Sequence, residues 1–316
     1  MQKQCVVRGL SVAAAFVGLA TAASAVTTVT MGWTPVGNPG NAPDTTGFGA
    51  VVYAYQIGTY EVTNGQYAEF LNAKAASDPL GLYNPSMGSG TGGIAQSGIS
   101  GSFTYSAIAG RADKPVNFVS FYDALRFANW MNNGQGSGDT ETGAYTLLGG
   151  TPTPINGAVV TRNLGASIVL TSEDEWYKAA YYNAVSTSYF AYPAGSNAQT
   201  GCASPTATAN RANCQGVVGD VTNKGVYTGS ASPYGTFDQG GNVYEWNEAI
   251  IGLNRGIRGG SWFNGGGSLA ATSRSSNGAT SENNVFGFRV AMVPEPGTGL
   301  LLIVGLLGLA IRRRAD

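Results

Sequence analysis

Few residues in this chain are equipped for chemistry, and one type is missing altogether: there is no histidine. That excludes Ser-His-Asp and Cys-His nucleophilic catalysis in their usual form. It also excludes histidine-bound zinc and iron. The cysteines are Cys5, Cys202 and Cys214. Cys202 and Cys214 stand 12 residues apart in a loop rich in Ala, Thr and Asn. In an oxidising compartment two such cysteines most simply pair. Closing that loop contributes about 3 kcal/mol on the chain-entropy account. A thiolate metal site is the alternative.

The two ends say which compartment applies. Lys3 and Arg8 precede an apolar run from Leu10 to Ala20, and Ala23-Ser24-Ala25 supplies the small-residue pattern that signal peptidase reads. Residues 1–25 are therefore expected to be a signal peptide, which removes Cys5. A retained anchor is the alternative, but the run is short for a hydrocarbon core of about 30 Å. At the other end Pro294-Glu295-Pro296 leads into an apolar stretch, Gly297 to Ile311, and then Arg312-Arg313-Arg314. As a helix that stretch spans about 22 Å. It suits a transient membrane association with the arginines on the cytoplasmic side. The order of these parts resembles the PEP-CTERM sorting signal of exported bacterial proteins, here residues 293–316. The resemblance implies a membrane protease, exosortase, as a processing partner beside signal peptidase. It also implies delivery to the cell surface or extracellular matrix. A plain short C-terminal anchor is the other reading, and both place the domain outside the cytoplasm.

Setting aside Lys3, Arg8 and Arg312–Arg314 from the 17 basic residues, and Glu295 and Asp316 from the 18 acidic ones, leaves 12 against 16, a net charge of −4. With no basic cluster in that stretch, nucleic acid is not an expected partner. The 47 glycines and the low charged fraction of 11% point to a loop-rich domain.

A few helices must position whatever site exists. Residues 26–49 read as a loose lead-in with one strand, and Val51 to Thr59 alternates like a strand. Thr63 or Asn64 caps a helix that buries Tyr67, Phe70 and Leu71. Ser77 to Gly110 holds short strands at most. Ser120 caps a helix from Phe121 to Asn132, ended by Gly134 to Gly138. Ile168-Val169-Leu170 is a short buried strand. Thr171 is the expected cap of the next helix, with Asp174 in the capping-box position. The sum is a single α+β domain with many short strands and long loops.

Six blocks in this order resemble the formylglycine-generating, or sulfatase-modifying factor, domain, a loop-rich variant of the C-type lectin fold. They are Gly58-Thr59-Tyr60-Glu61-Val62-Thr63-Asn64, Lys114 to Ser120, Leu170-Thr171-Ser172-Glu173-Asp174-Glu175-Trp176, Gly241-Asn242-Val243-Tyr244-Glu245-Trp246, Arg258-Gly259-Gly260-Ser261-Trp262, and Gly287-Phe288-Arg289-Val290-Ala291. The resemblance covers residues 50–292. It implies a copper(I) site between two cysteines after the GGS block, which would serve oxidation of a substrate cysteine. Here those positions carry Asn264 and Leu269, so copper is not expected and the oxidase chemistry lacks its ligands. The expectation is a non-catalytic module with a binding or structural role; an oxidase, or another enzyme acting on a protein substrate, is the alternative. By the same resemblance Ser261, Trp262, Asn264 and Arg274 line a groove for a peptide or glycan ligand. They are equally compatible with a core Trp262, a bulge at Gly259 and Gly260, and an ion-paired Arg274.

The resemblance also implies structural calcium. One set is Asp238 and Glu245 with the carbonyls of Gly241 and Val243; a second, with an offset pattern, is Asn213 and Asp220. Oxygen donors of this mixture suit calcium. The competing expectation pairs Glu245 with Arg258 or Arg255 and gives Asp238 to a turn.

Overall fold

The computed structural model describes residues 28–294, so the expected signal peptide with Cys5, and the sorting tail beyond Pro294, lie outside the described residues. The first half of the chain forms β1 (Trp33–Val36), β2 (Tyr55–Gly58), α1 (Asn64–Lys74), β3 (Ile94–Ser97), β4 (Thr104–Ala107) and α2 (Phe121–Asn132). Then come β5 (Ile168–Leu170), α3 (Glu173–Tyr181), β6 (Tyr182–Asn183), β7 (Ser188–Tyr189), β8 (Gly201–Cys202) and β9 (Arg211–Ala212). The last part holds β10 (Tyr244–Ile251), β11 (Asn254–Arg258), β12 (Ser275–Asn277), β13 (Phe286–Gly287) and β14 (Val290–Met292).

Two four-stranded sheets carry the architecture. One has the order β1-β2-β14-β5 and places β2 between the first and last described strands. The other has the order β12-β11-β10-β13. The segment expected as a loose lead-in supplies β1, whose Trp33 to Val36 pair antiparallel with Gly58 to Tyr55. In the Gly- and Ser-rich stretch β3 and β4 form a hairpin.

The helices sit where their caps place them. Thr63 accepts from the Gln66 N–H while the Gln66 side chain accepts from the Thr63 N–H, a reciprocal box that satisfies two orphan donors. Ser120 and Asp123 do the same for α2. At α3 the expectation is one residue early. Ser172, not Thr171, is the cap, and Glu175, not Asp174, closes the box. Thr171 is fully buried and its hydroxyl oxygen has no partner.

Helices α1 and α2 pack through aromatic rings. Phe127 meets Phe70 at 5.4 Å and Phe288 at 5.4 Å, both edge-on, and Phe70 meets Trp130 at 5.3 Å. Such pairs add to the burial of their large apolar area. Because Phe288 lies between β13 and β14, this core ties both sheets to the helices. Cap position is a checkable outcome at α3. Ser172→Ala is expected to lower stability by about 1 kcal/mol, while Thr171→Val, which deletes an unpaired hydroxyl, is expected to be neutral or stabilising. Urea unfolding of the two variants measures the difference, and equal losses would contradict the assignment.

Candidate functional site

Glu245, on β10, is the hub of the region where the resemblance places metal. Its carboxylate is fully buried. Oε2 accepts from Arg289 Nε at 2.5 Å and from Trp176 Nε1 at 2.7 Å, and Oε1 accepts from Arg289 Nη2 at 2.6 Å. The Arg289 guanidinium is also fully buried and donates to the carbonyls of Gly58 at 2.9 Å and Phe237 at 3.0 Å. Thus neither Arg258 nor Arg255 takes Glu245. Arg258 binds Glu173 instead, and Arg255 stacks 4.5 Å over Phe121 with its donors on Gly157 and Val160 carbonyls.

Two further carboxylates lie within electrostatic reach of this pair. Asp238 adopts φ +60° and accepts from the Gly225 N–H at 2.6 Å. Removal from water pushes its carboxyl up to about 6. Glu61 is 1% exposed; its Oε1 accepts from Asn242 Nδ2 at 3.3 Å, and its Oε2 is buried without a partner. Burial first, then the negative charge of Asp238, raises the Glu61 carboxyl well above its usual range. Asp238 also borders a small polar cavity of about 20 Å³ with Arg211, Tyr227, Ser232 and Thr236, room for about one water molecule.

Asn242 organises the loops around them. Its Oδ1 accepts from the Thr222 N–H at 2.9 Å and from Asn213 Nδ2 at 3.2 Å, and its carbonyl accepts from the Trp262 N–H at 2.8 Å. Gly241 makes this close approach possible. It has φ +85°, and a Cβ there would sit 2.3 Å from the Asn213 carbonyl oxygen.

These contacts test the two expected calcium sets. Asp220 does not fit. Its carboxylate accepts from Arg111 Nη1 at 2.7 Å and Lys114 Nζ at 2.8 Å. Burial pushes its carboxyl up, but the two cations outweigh that and hold it low. Asn213 donates to the Asp220 carbonyl at 2.8 Å, and its Oδ1 is buried without a partner. The Asp238 set fits in part. Glu245 is already neutralised by Arg289, but three carboxylates surround that one guanidinium, and Glu61 offers an unused oxygen. Among the described residues no group of three or more from His, Cys, Asp and Glu is arranged to hold a metal. A cation here would therefore rest on two carboxylates and backbone carbonyls.

The expected groove residues separate into two places. Ser261 is fully buried and donates through Oγ to Asn264 Oδ1 at 2.5 Å. Trp262 is half-buried, with Nε1 on the Asn284 carbonyl at 3.2 Å. Arg274 belongs elsewhere: it forks onto Glu173 at 2.8 and 2.7 Å and stacks 4.9 Å over Phe48. Gly259 and Gly260 form no bulge. They turn the chain after β11 with φ +95° and +70°, and a Cβ on Gly259 would meet the Gln239 carbonyl at 2.7 Å. The β10–β11 irregularity lies between Trp246 and Ile250.

Leu269, at the second position expected for a copper ligand, is fully buried. It packs in a cluster with Ala212 and Cys214, against which Cys202 and Tyr192 lie. Cys202 and Cys214 form a disulfide with a Cα–Cα distance of 4.9 Å. The turn at Trp262 is stitched to the loop after Cys214 by Gln215 N–H to Asn264 O and Gly216 N–H to Trp262 O, each 2.7 Å. On this surface Phe263 is 68% exposed, with Val217 and Val218 exposed nearby in sequence to the stitch.

Glu61, Asn242 and Arg289 are the residues that sequence reasoning left without roles. All three lie inside quoted blocks, so the signal was their place in a motif rather than their chemistry.

The model of the sulfatase-modifying factor enzyme 1-like domain matches residues 22–293, and the PEP-CTERM protein-sorting motif matches residues 293–314. No curated protein matches the sequence. Among solved structures, Treponema denticola variable protein 1 is similar at 18% identity and TM-score 0.50, over 86% of this chain and 98% of that one. CarF is similar at 21% identity and TM-score 0.55, over 84% and 99%. These likenesses establish the loop-rich C-type lectin-like fold. The sorting motif implies exosortase-mediated sorting and export toward the cell envelope or surface. The chain belongs to the sulfatase-modifying factor enzyme 1-like family and ends in a PEP-CTERM sorting motif.

Proposed function

We propose that this protein is a non-catalytic, calcium-stabilised member of its family. Signal peptidase removes its leader, and the mature domain acts at the cell surface or in the extracellular matrix by binding a peptide or glycan. One observation carries the reading. At the two positions where relatives would present thiolates, Asn264 takes the Ser261 hydroxyl and Leu269 fills a closed apolar cluster. The side chain of Leu269 also occupies the space beside Gly260, where an added Cβ would lie 2.8 Å from Leu269 Cδ1. The two cysteines of the described residues are joined to each other. What remains suits binding: an exposed Phe263 edge-on to Trp262 at 5.7 Å, with Val217 and Val218 exposed just after Gly216, whose N–H donates to the Trp262 carbonyl. Exposed aromatic and apolar clusters of this kind commonly serve as contact surfaces.

The purified protein is expected to hold no stoichiometric copper(I) and to yield no aldehyde from a cysteine peptide under oxygen. Tightly held copper, lost together with an oxidation activity, would overturn the reading. On immobilised exopolysaccharide and peptide panels, Phe263→Ala is expected to weaken the ligand found by about tenfold or more; unchanged binding would move the contact surface elsewhere.

Calcium would be held by Asp238, the carbonyls of Gly241 and Val243, and Glu61, with Glu245 left to Arg289. The charge supports a testable pH dependence. The folded-state carboxyls of Asp238, about 6, Asp123, about 7, and Glu61 all lie above their usual values. Stability from such groups is full below the unfolded values near 4 and is lost as pH rises through the folded ones. In calcium-free buffer the melting temperature is therefore expected to rise as pH falls from 7.5 to 5. Calcium at pH 7.5 should raise it and flatten the slope, and Asp238→Asn should reduce both effects. No calcium shift by calorimetry at pH 7.5 would remove calcium from the proposal.

A further inference from the structure

The sorting motif begins inside the fold. Its match starts at Val293. Val293 is 8% exposed within the main core, and its N–H donates to the Ser167 carbonyl at 2.8 Å. The strand before it, β14, is held on both sides: Met292 pairs with Gln56 of β2 and with Ile168 of β5. Only Pro294, Glu295 and Pro296 separate this anchored residue from the apolar run that starts at Gly297. Four residue steps reach about 14 Å at full extension. The polar layer on one side of a bilayer is about 5–8 Å thick. With the apolar tail in a membrane, the end of the β1-β2-β14-β5 sheet must therefore stand close to the membrane surface.

An open cavity of about 440 Å³ lies at this point of exit. Pro35, Val36, Ala54, Tyr55, Met292 and Pro294 line it, so the departing chain is itself part of the wall. No charged side chain lines it. Pro35 and Ala54 are exposed on its rim, while Val36 and Tyr55 form a buried floor.

We propose that this groove is a docking surface for the membrane protease that cuts the sorting tail, and that it receives an uncharged, apolar extracytoplasmic segment of that enzyme. The short tether brings the enzyme against this end of the sheet whenever it grips the tail. A contact there extends the grip on the tail onto the folded domain. A neutral apolar floor favours an apolar partner and offers no fixed charge to phospholipid headgroups. The inference rests on the sorting motif and is independent of the ligand proposed for the domain.

The test is pulse-chase of the full-length precursor in cells that carry the sorting protease. Pro35→Arg and Ala54→Arg are made separately, both at exposed positions, and the melting temperature of each purified precursor is compared with that of the parent. Each substitution is expected to slow tail removal by about tenfold, the equivalent of about 1.4 kcal/mol of lost contact. A six-residue Gly/Ser insert between Val293 and Pro294 adds about 20 Å of reach. With it, substituted and unsubstituted chains are expected to be cut at one rate, because the enzyme no longer has to meet the groove. Tail removal at the parent rate in both substituted chains with the native tether would overturn the proposal. So would a loss of membrane association by the uncut substituted chains in cells lacking the protease, since that would assign the groove to lipid.

Discussion

A buried guanidinium facing a buried carboxylate holds this fold together at its centre. Arg289 precedes β14, Glu245 lies on β10, and the remaining donors of the arginine reach carbonyls at Gly58 and Phe237. Through Trp176 the same carboxylate fixes α3. One ion pair therefore links both sheets, a helix and the loop that carries Asp238. Two charges removed from water are costly, and they are tolerated because each is bidentate and further hydrogen-bonded. Loss of either partner would strand the other. The long loops between β9 and β10 lack the apolar content to order themselves, so they depend on such polar ties, with Asn242 and the Cys202–Cys214 disulfide as the next in line.

The same economy shows at the turn after β11. There two positive-φ glycines and a seam of backbone hydrogen bonds hold the chain to the neighbouring loop. Leu269, in the loop that follows, contributes apolar packing against the disulfide. The exposed aromatic surface beside that turn is fixed by the same seam and by the disulfide.

Local signals were legible in the sequence and distant ones were not. The cap of α2 could be read at Ser120, and that of α1 to within one residue, Thr63 or Asn64, because a capping box is complete within four residues. At α3 the adjacent Thr171 and Ser172 both qualify, and the choice falls to Ser172 because Glu175 also pairs with Arg162 at 2.9 Å, a partner 13 residues upstream. The six motif blocks revealed the family, since their order carries more information than any one of them. Strands of two residues, such as β8 and β13, left no periodicity to read. The partner of Glu245 lies 44 residues away, beyond three nearer arginines, Arg255, Arg258 and Arg274. Asp220 offered a plausible calcium ligand by type, yet Arg111 and Lys114 reach it from more than 100 residues upstream. Spacing cannot reveal such pairs; they exist only once the chain has closed.

The most direct measurement is a double-mutant cycle on the central pair in the mature domain, read by urea unfolding at pH 7. Arg289→Met alone is expected to cost about 3–5 kcal/mol, because it leaves the Glu245 charge buried and unpaired. Adding Glu245→Leu should recover part of that loss, giving a coupling of more than about 1 kcal/mol. Single losses near zero, or strictly additive ones, would contradict the view that this ion pair organises the fold.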